Sequence, residues 1–191
     1  MFDWIRCFSE HMEVIEKINN DQIFHSQLDQ VVNLLVKVFQ MQGKLLICGN
    51  GGSASDAQHI AGELVSRFFI ERRGLYAEAL TSNVASITAI GNDYSYEKIF
   101  QRQVEANGRP GDVLMGLSTS GNSKNVILAM EEAKKKNIMT IGITGANTSS
   151  AISKIADHCI HIPSSNTPRI QEAYLLVCHS ICEFLESRLF S

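Results

Sequence analysis

Two short loops in the sequence combine small residues with hydrogen-bond donors in a spacing suited to holding a phosphate group. The first, at 50–53, reads Asn-Gly-Gly-Ser, and the second, at 118–123, reads Ser-Thr-Ser-Gly-Asn-Ser. Each follows an apolar run and precedes a segment with helical patterning, and a helix start presents free N–H groups and a positive dipole end to an anion. Either loop alone is compatible with an ordinary strand-to-helix turn. The pair together favours phosphate binding.

Acid–base groups lie on the predicted helix that follows the first loop and on the last predicted helix. His59 and Glu63 are four residues apart, so a helix places both side chains on one face. The last predicted helix carries Gln171 and, eight residues later, His179. A positioned acid and base of these types can move a proton between neighbouring carbons. A His–Glu pair at this spacing is also compatible with a surface contact or a buried structural histidine.

Three further polar residues have more than one interpretation. Arg67, one turn beyond Glu63, either reaches an anion or solvates the end of its helix. Asn92 and Asp93 follow Gly91 at the end of another predicted helix, where they either form a turn or bind sugar hydroxyls. The residue types alone leave these alternatives open.

Composition places the chain among globular proteins and away from nucleic-acid and membrane proteins. The 191 residues suffice for one α/β domain, 45% of them are hydrophobic, and the net charge is −3. The longest basic run is three lysines at 134–136, so bulk nucleic-acid binding is not expected. We expect neither a membrane span nor a secretory signal, since no apolar stretch is long enough. Five cysteines without a C-x-x-C pair favour reduced thiols and a cytoplasmic location.

Alternating strand and helix patterns must position these loops. Near-continuous apolar strands separated by helices are typical of a parallel sheet covered on both faces. We therefore predict a three-layer, doubly wound α/β fold with a five-stranded parallel sheet, preceded by a helical N-terminal extension. Thr167 and Pro168 predict the start of the last helix. The predicted strands are 44–49, 75–80, 112–118, 138–143 and 158–162, and the helices between and after them are 54–68, 83–90, 95–106, 123–136, 149–156 and 168–188.

Six motifs together resemble those of the phosphoheptose isomerase group of the sugar-isomerase (SIS) domain family. The resemblance extends over nearly the whole chain and is weakest in the first 40 residues. Individually the loops are typical of any SIS domain, whereas the combined set is specific to this group. The motifs are 48–53 (Cys-Gly-Asn-Gly-Gly-Ser), 56–59 (Asp-Ala-Gln-His), 89–93 (Ala-Ile-Gly-Asn-Asp), 108–112 (Gly-Arg-Pro-Gly-Asp), 118–123 and 169–172 (Arg-Ile-Gln-Glu).

The resemblance implies an aldose–ketose isomerase. Such an enzyme converts sedoheptulose 7-phosphate to D-glycero-D-manno-heptose 7-phosphate through an enediol, the first step of bacterial ADP- or GDP-heptose biosynthesis. The resemblance also implies one flavodoxin-like SIS domain over residues 1–191, with a sugar-phosphate-binding core at 43–191 and helices at 1–42 used in oligomer packing. The implied assembly is a homotetramer with sites at subunit boundaries.

The same resemblance assigns roles by position. Glu63 and His179 match the proposed acid–base pair. One zinc ion per chain is implied, with the ligands His59, Glu63, Gln171 and His179, so base and ligand roles compete at Glu63. The substrate-binding positions are matched by Asn50, Gly51, Gly52, Ser53, Glu63, Arg67, Asn92, Asp93, Ser118, Thr119, Ser120, Ser123 and Gln171.

The spacing on the last helix leads to an expectation about assembly. Gln171 and His179 are separated by about 12 Å along one helix axis, which is far for two ligands of one ion. We therefore expect Gln171 to complete the site of its own chain and His179 to reach a neighbour's site. Pro168 and Tyr174, on the same helix, differ from the residues that relatives often carry there.

Two other functions are weighed against the enzyme. A non-catalytic SIS module of the replication-initiator-binding type binds a phosphosugar and does not need an acid–base pair. The presence of both Glu63 and His179 favours the isomerase over that module. An aminosugar-phosphate isomerase module is ordinarily attached to further domains, and this sequence shows none.

Overall fold

Within residues 3–190, which the computed structural model describes, eight α-helices and five strands follow one another along the chain. In that range, none of the helices combines the length and apolar character needed to cross a bilayer. The helices are α1 (Trp4–Asn20), α2 (Gln22–Gln40), α3 (Gly52–Val65), α4 (Val84–Asp93), α5 (Gln101–Asn107), α6 (Lys124–Lys135), α7 (Ala151–Ile155) and α8 (Thr167–Phe190), with a 3-10 turn at Tyr96–Lys98. The strands are β1 (Leu45–Gly49), β2 (Ala77–Ala79), β3 (Val113–Ser118), β4 (Met139–Thr144) and β5 (His158–His161).

The five strands form one parallel sheet in the order β2-β1-β3-β4-β5. The chain leaves β1 toward β2 on one side and then returns to β3 on the other, so the winding direction reverses between β1 and β3. In such sheets the crevice outside the carboxyl ends of the strands at the reversal is where ligands bind. Both glycine- and serine-rich loops leave the sheet at this point. The predicted three-layer, doubly wound α/β fold is confirmed.

Each strand contributes side chains to two apolar layers, as alternation along a strand requires. In β1, Leu45 and Ile47 pack into the layer beneath α2, α3 and α8, while Leu46 and Cys48 pack into the layer beneath α5 and α6. All four side chains are buried. Burial on both faces explains why this strand is apolar throughout.

The observed helix bounds differ from the predicted ones in three places that affect the site. Helix α3 occupies 52–65 rather than 54–68. At its C-terminal end, the Arg72 guanidinium donates to the carbonyl oxygens of Glu63, Leu64 and Ser66 at 3.0, 2.9 and 2.7 Å. The predicted helix 95–106 divides into a 3-10 turn and the shorter α5. Helix α4 continues to Asp93, so the Asn-Asp pair at 92–93 lies in its last turn.

A buried carboxylate fastens the segment after α3 to helix α8. Glu186, only 3% exposed, accepts hydrogen bonds from the backbone N–H groups of Phe68, Phe69 and Ile70 at 3.1, 2.7 and 3.0 Å, and from Arg72 Nε at 2.9 Å. Burial opposes its ionisation, but the three N–H groups and the guanidinium outweigh burial and hold the pKa of Glu186 below its ordinary value. This contact fixes the end of α3 relative to α8.

We expect Glu186→Gln to lower the free energy of unfolding by about 3 kcal/mol, because it leaves the Arg72 guanidinium buried without its counter-charge. Chemical denaturation measures the change, with the exposed Glu183→Gln on the same helix as the matched control. Since the pKa of Glu186 is lowered in the folded state, its stabilisation is present above the ordinary glutamate pKa of about 4.3 and is lost as the pH falls through the folded value. The gap between wild type and variant should therefore narrow in acid. Equal stability of the two proteins at neutral pH would contradict this account.

Candidate active site

The first loop follows β1 and opens α3 without a side-chain cap. Gly51 has φ +56°, a left-handed conformation that glycine adopts without strain, and a Cβ there would meet nothing within 4 Å. The backbone beside Gly51 is therefore open to solvent. With no side chain capping α3, the positive end of its dipole faces this opening. The arrangement suits an anion.

The second loop follows β3 and opens α6. Ser118 Oγ lies 2.9 Å from Ser123 Oγ, while Ser120 is exposed and Thr119 is half-buried. Gly121, at φ +66°, packs so closely on the Ser150 hydroxyl that a Cβ would collide with it. Ser150 immediately precedes α7, so this contact holds the loop against the start of that helix, while the Ser120 hydroxyl is exposed.

An amide pair joins the two loops. Asn50 and Asn125 exchange two side-chain hydrogen bonds of 2.8 Å, and the Tyr96 hydroxyl donates to Asn50 Oδ1 at 2.9 Å. Asn125 is buried, so these bonds are shielded from water. Sequence reasoning missed both Asn125 and Tyr96. The only available signal was the position of Asn125 in the first turn after the serine loop.

Three groups that can move protons converge between α3 and α8. His59 Nε2 lies 3.0 Å from Glu63 Oε1 and 3.3 Å from His179 Nε2. One ligand atom from each of the three residues lies within 4.8 Å of the others. The Phe68 ring, held by the Glu186 contact, packs 5.9 Å from the His179 ring. The cluster is open on one side, where the side chains of His59 and Glu63 are 44% and 28% exposed.

The position of His179 corrects the expectation that it serves a neighbouring chain. His179 contacts His59 of its own chain, because α8 runs alongside α3 in the same direction. At the start of both helices, Gln171 lies against Gly52, and a Cβ on that glycine would be 2.7 Å from Gln171 Nε2. Gln171 is therefore placed at the first loop and His179 at the cluster. Of the four predicted ligands, His59, Glu63 and His179 converge within one chain, and Gln171 contacts Gly52 at the start of the same helix pair.

The buried phenol of Tyr174 lies between the first loop and the cluster of His59, Glu63 and His179. Tyr174 is fully buried, and its hydroxyl bonds to Ser53 Oγ. Burial is the main cause that raises the pKa of Tyr174 well above its ordinary value, and burial likewise raises the pKa of Asp56. Ser53 itself is buried, unlike the other residues of its loop.

The contacts of the three remaining predicted residues are with groups outside the cluster. Arg67 is exposed, with its Nε 3.9 Å from Glu71. Asn92 Nδ2 donates to Asp93 Oδ1 at 2.8 Å, and Asp93 lines a cleft of about 410 Å³ that contains no residue of either loop. Since all three are exposed, they are available to a ligand or a neighbouring chain.

Comparison with known proteins agrees with this geometry. A family model described as SIS domain matches residues 6–145. A phosphoheptose isomerase from Aneurinibacillus thermoaerophilus is 47% identical over 191 residues, all of this chain and 96% of the relative. One from Synechocystis is 50% identical over 171 residues, 90% of this chain and 88% of the relative. The solved structure of a phosphoheptose isomerase from Neisseria gonorrhoeae is 38% identical and superposes with a TM-score of 0.89 over 96% of each chain.

The agreement therefore extends beyond the shared fold. A fold alone is common to SIS proteins of many functions, whereas identities near half over almost the full length distinguish one group among them. The chain belongs to the SIS domain family and, within it, to the phosphoheptose isomerases.

Proposed function

We propose that this chain converts sedoheptulose 7-phosphate to D-glycero-D-manno-heptose 7-phosphate, the entry to bacterial ADP- or GDP-heptose biosynthesis. The class of reaction, an aldose–ketose isomerisation, follows from the family. The main structural support for the proposal is the convergence of His59, Glu63 and His179 between α3 and α8, two helices that begin at the open first loop. A module that only binds phosphosugars has no use for that convergence.

Phosphate binding is assigned to the two loops at the sheet reversal. The hydroxyls of the second loop and the uncapped start of α3 offer donors and positive dipole ends to a dianion. The phosphate keeps its charge during isomerisation, so these groups hold substrate and transition state alike. The residues assigned to this role are Asn50, Gly51, Gly52, Ser118, Thr119, Ser120 and Ser123.

Proton transfer is assigned to the cluster farther along the same helices. His59 lies seven residues beyond Gly52, which corresponds to about 10 Å of helix rise. That span suits a sugar whose phosphate lies at one end of the site and whose reacting carbons lie at the other. Glu63 removes the proton from one carbon to give the enediol and returns a proton to the neighbouring carbon, while His179 moves a proton between the two oxygens. Such a pair contributes roughly 10²–10⁴-fold to the rate.

We expect Glu63→Gln to lower kcat by at least about 100-fold, because the amide keeps the size of the side chain but cannot accept the proton. Product formation from sedoheptulose 7-phosphate measures the change. Glu131→Gln, on an exposed face of α6, is the matched control and should retain wild-type kcat. A Glu63→Gln enzyme within about 10-fold of wild type would exclude Glu63 as the base.

The same three residues fit a zinc ion. Ligands at about 2.0–2.2 Å in a tetrahedron lie about 3.3–3.6 Å apart, and the two imidazole nitrogens are already 3.3 Å apart. Two imidazoles and one carboxylate, with the fourth position open, are a donor set that catalytic zinc sites use. A bound zinc ion would polarise the substrate carbonyl. We assign His59, Glu63 and His179 as its ligands; Gln171, expected as a fourth ligand, contacts Gly52 at the start of the same helix pair.

Protein purified without chelator should contain zinc near one ion per chain. The His59→Ala variant should lose the metal while keeping its fold, because only two of the three converging ligands remain. Metal analysis and circular dichroism measure the two properties, and His11→Ala, a histidine outside the cluster, is the control. Metal-free wild-type protein with undiminished activity would reduce the cluster to acid–base and hydrogen-bonding roles.

We further propose a homotetramer with its sites at subunit boundaries, packed through the N-terminal helices. Helix α1 exposes the large apolar side chains of Ile5, Phe8 and Met12 at helical spacing. A groove of about 400 Å³ between α1, α2 and α8 adds the exposed apolar side chains of Leu176 and Phe184. Exposed apolar patches of this kind are typical of interfaces. Arg67, Asn92 and Asp93, whose described contacts lie outside the cluster, are candidates to complete a neighbour's site.

We expect Phe8→Asp to dissociate the assembly and to abolish most of the activity, because a carboxylate cannot be buried in an apolar interface without its own partner. Light scattering after size exclusion gives the mass, and circular dichroism checks that the subunit stays folded. Ser9→Asp, on the exposed part of the same helix, is the matched control. A Phe8→Asp protein that stays tetrameric would contradict packing through this helix.

A cytoplasmic location is proposed from the thiols. All five cysteines are free, and Cys48, Cys178 and Cys182 are buried. Burial raises the pKa of the Cys48 thiol to about 12, so it stays protonated at neutral pH. Free thiols persist in a reducing compartment.

A further inference from the structure

The amide pair between the two loops has both of its oxygen atoms fully used as acceptors. Asn50 Nδ2 donates to Asn125 Oδ1 and Asn125 Nδ2 donates to Asn50 Oδ1, each at 2.8 Å, so the two carboxamides form a closed ring. Asn125 Oδ1 also accepts the backbone N–H of Val126 at 3.0 Å. Asn50 Oδ1 also accepts the Tyr96 hydroxyl at 2.9 Å. Two bonds saturate a carbonyl oxygen, so neither amide has an acceptor left.

The backbone N–H of Val126 fixes the orientation of both amides. A backbone N–H can only donate, so the Asn125 atom that faces it must be the oxygen. The Asn50 atom that bonds to this oxygen must then be the nitrogen, because only the nitrogen of an amide carries hydrogens. The oxygen of Asn50 is left to face Asn125 Nδ2 and the Tyr96 hydroxyl, both of which can donate to it.

Each amide nitrogen keeps one hydrogen that the ring does not use. A carboxamide nitrogen carries two hydrogens, and the ring takes one from each residue. Among the residues that the structure describes, neither Asn50 Nδ2 nor Asn125 Nδ2 makes a second hydrogen bond. Asn125 is only 3% exposed, so its spare N–H is shielded from bulk water. A shielded donor without an acceptor is unfavourable, which favours a ligand that brings acceptor atoms.

These spare donors lie between the loops assigned to the phosphate. Asn50 is the first residue of the first loop, and Asn125 lies in the first turn of α6, directly after the second loop. Tyr96, 61% exposed, reaches Asn50 from the 3-10 turn that follows α4. The oxygens of a phosphate dianion accept hydrogen bonds and have none to donate. An amide pair with spare donors and no spare acceptor is matched to such a ligand.

We propose that Asn125 is a further phosphate-binding residue and that Tyr96 is a positioning residue for the amide pair. Asn50 and Asn125 each offer one N–H to the phosphate. The Tyr96 hydroxyl holds the Asn50 oxygen away from the anion, which a turned amide would repel. The substrate in this proposal rests on the isomerase function, whereas the phosphate contacts are measurable without turnover.

The test measures affinity for inorganic phosphate by calorimetry and the kinetic constants for sedoheptulose 7-phosphate. Asn125→Leu keeps the approximate shape of the side chain but opens the ring and removes one donor, so we expect phosphate to bind at least about 10-fold more weakly. Tyr96→Phe removes one hydroxyl and should weaken phosphate by about 5-fold. The phosphate is bound equally in substrate and transition state, so KM should rise while kcat stays within about 3-fold of wild type.

The double variant tests whether Tyr96 acts through the amide pair. In the Asn125→Leu protein the ring is already open, so adding Tyr96→Phe should change the phosphate affinity by less than about 2-fold. If Tyr96→Phe keeps its full effect in that background, Tyr96 acts independently of Asn125 and the positioning role is wrong.

Two matched controls separate phosphate binding from a general loss of stability. Thr140→Val removes a buried hydroxyl that bonds to Asp157 near the opposite end of the sheet. Tyr76→Phe removes the hydroxyl of an exposed tyrosine just before β2, also at that opposite end. Both variants should keep the phosphate affinity and the kinetic constants of the wild type.

Wild-type phosphate affinity in the Asn125→Leu protein would overturn the proposal. A lowered kcat with unchanged KM and phosphate affinity would do the same, because that pattern belongs to a structural effect on the proton-transfer groups. If Asn125→Leu does not fold, the exposed Tyr96→Phe decides: weaker phosphate binding with unchanged kcat supports the proposal, and unchanged binding overturns it.

The wild type distinguishes failure of this proposal from failure of the isomerase function. Protein that binds inorganic phosphate but does not act on sedoheptulose 7-phosphate contradicts the isomerase function and leaves the amide pair to be judged by the variants. Protein that does not bind inorganic phosphate contradicts the phosphate assignment and the role of Asn125 together.

Discussion

The side-by-side packing of α3 and α8, running in the same direction, is the constraint on which the site depends. Polar contacts connect the two helices at three places. Ser53 contacts Tyr174 at the start of the pair, and His59 contacts His179 in the middle. At the far end, Glu186 holds the segment that follows α3. The contacts of Ser53 with Tyr174 and of Glu186 are buried, so a shift of one helix along the other would leave their donors and acceptors unpaired. The proton-transfer groups therefore have a fixed distance from the phosphate cradle.

The sheet positions the first and second loops relative to each other. Because the winding reverses between β1 and β3, the two phosphate loops leave neighbouring strands and are joined by the Asn50–Asn125 amide pair. The loops present fixed dipoles and hydroxyls, and the helix pair presents groups that exchange protons. Under the proposed function, phosphate binding and proton transfer therefore lie at separate places on one scaffold. Electrostatic groups held rigid before the substrate arrives need no reorganisation during the reaction.

Local patterns predicted the fold class, both loops and the pairing of His59 with Glu63, because each depends on residues close in sequence. Helix α3 was predicted to end three residues too late, since the hydrogen bonds from Arg72 to its last carbonyl groups are a tertiary contact. The expectation that His179 serves another chain was wrong. The expectation assumed that the Gln171 and His179 side chains must converge on one metal ion. Spacing along α8 alone does not reveal that α8 packs alongside α3 of the same chain. Asn125 and Tyr174 were missed as site residues for the same reason.

The central claim is that one chain's Glu63 and His179 move protons at the sugar through an enediol, at a cluster partly open to water. Isomerisation of sedoheptulose 7-phosphate in D₂O, followed by NMR of the product, tests it most directly. Because the Glu63 side chain is 28% exposed, the abstracted proton can exchange with solvent before it is returned. The account predicts an aldoheptose 7-phosphate that carries deuterium at C2. An aldoheptose 7-phosphate formed at the full rate with only protium at C2, as a direct hydride shift leaves it, would contradict the account.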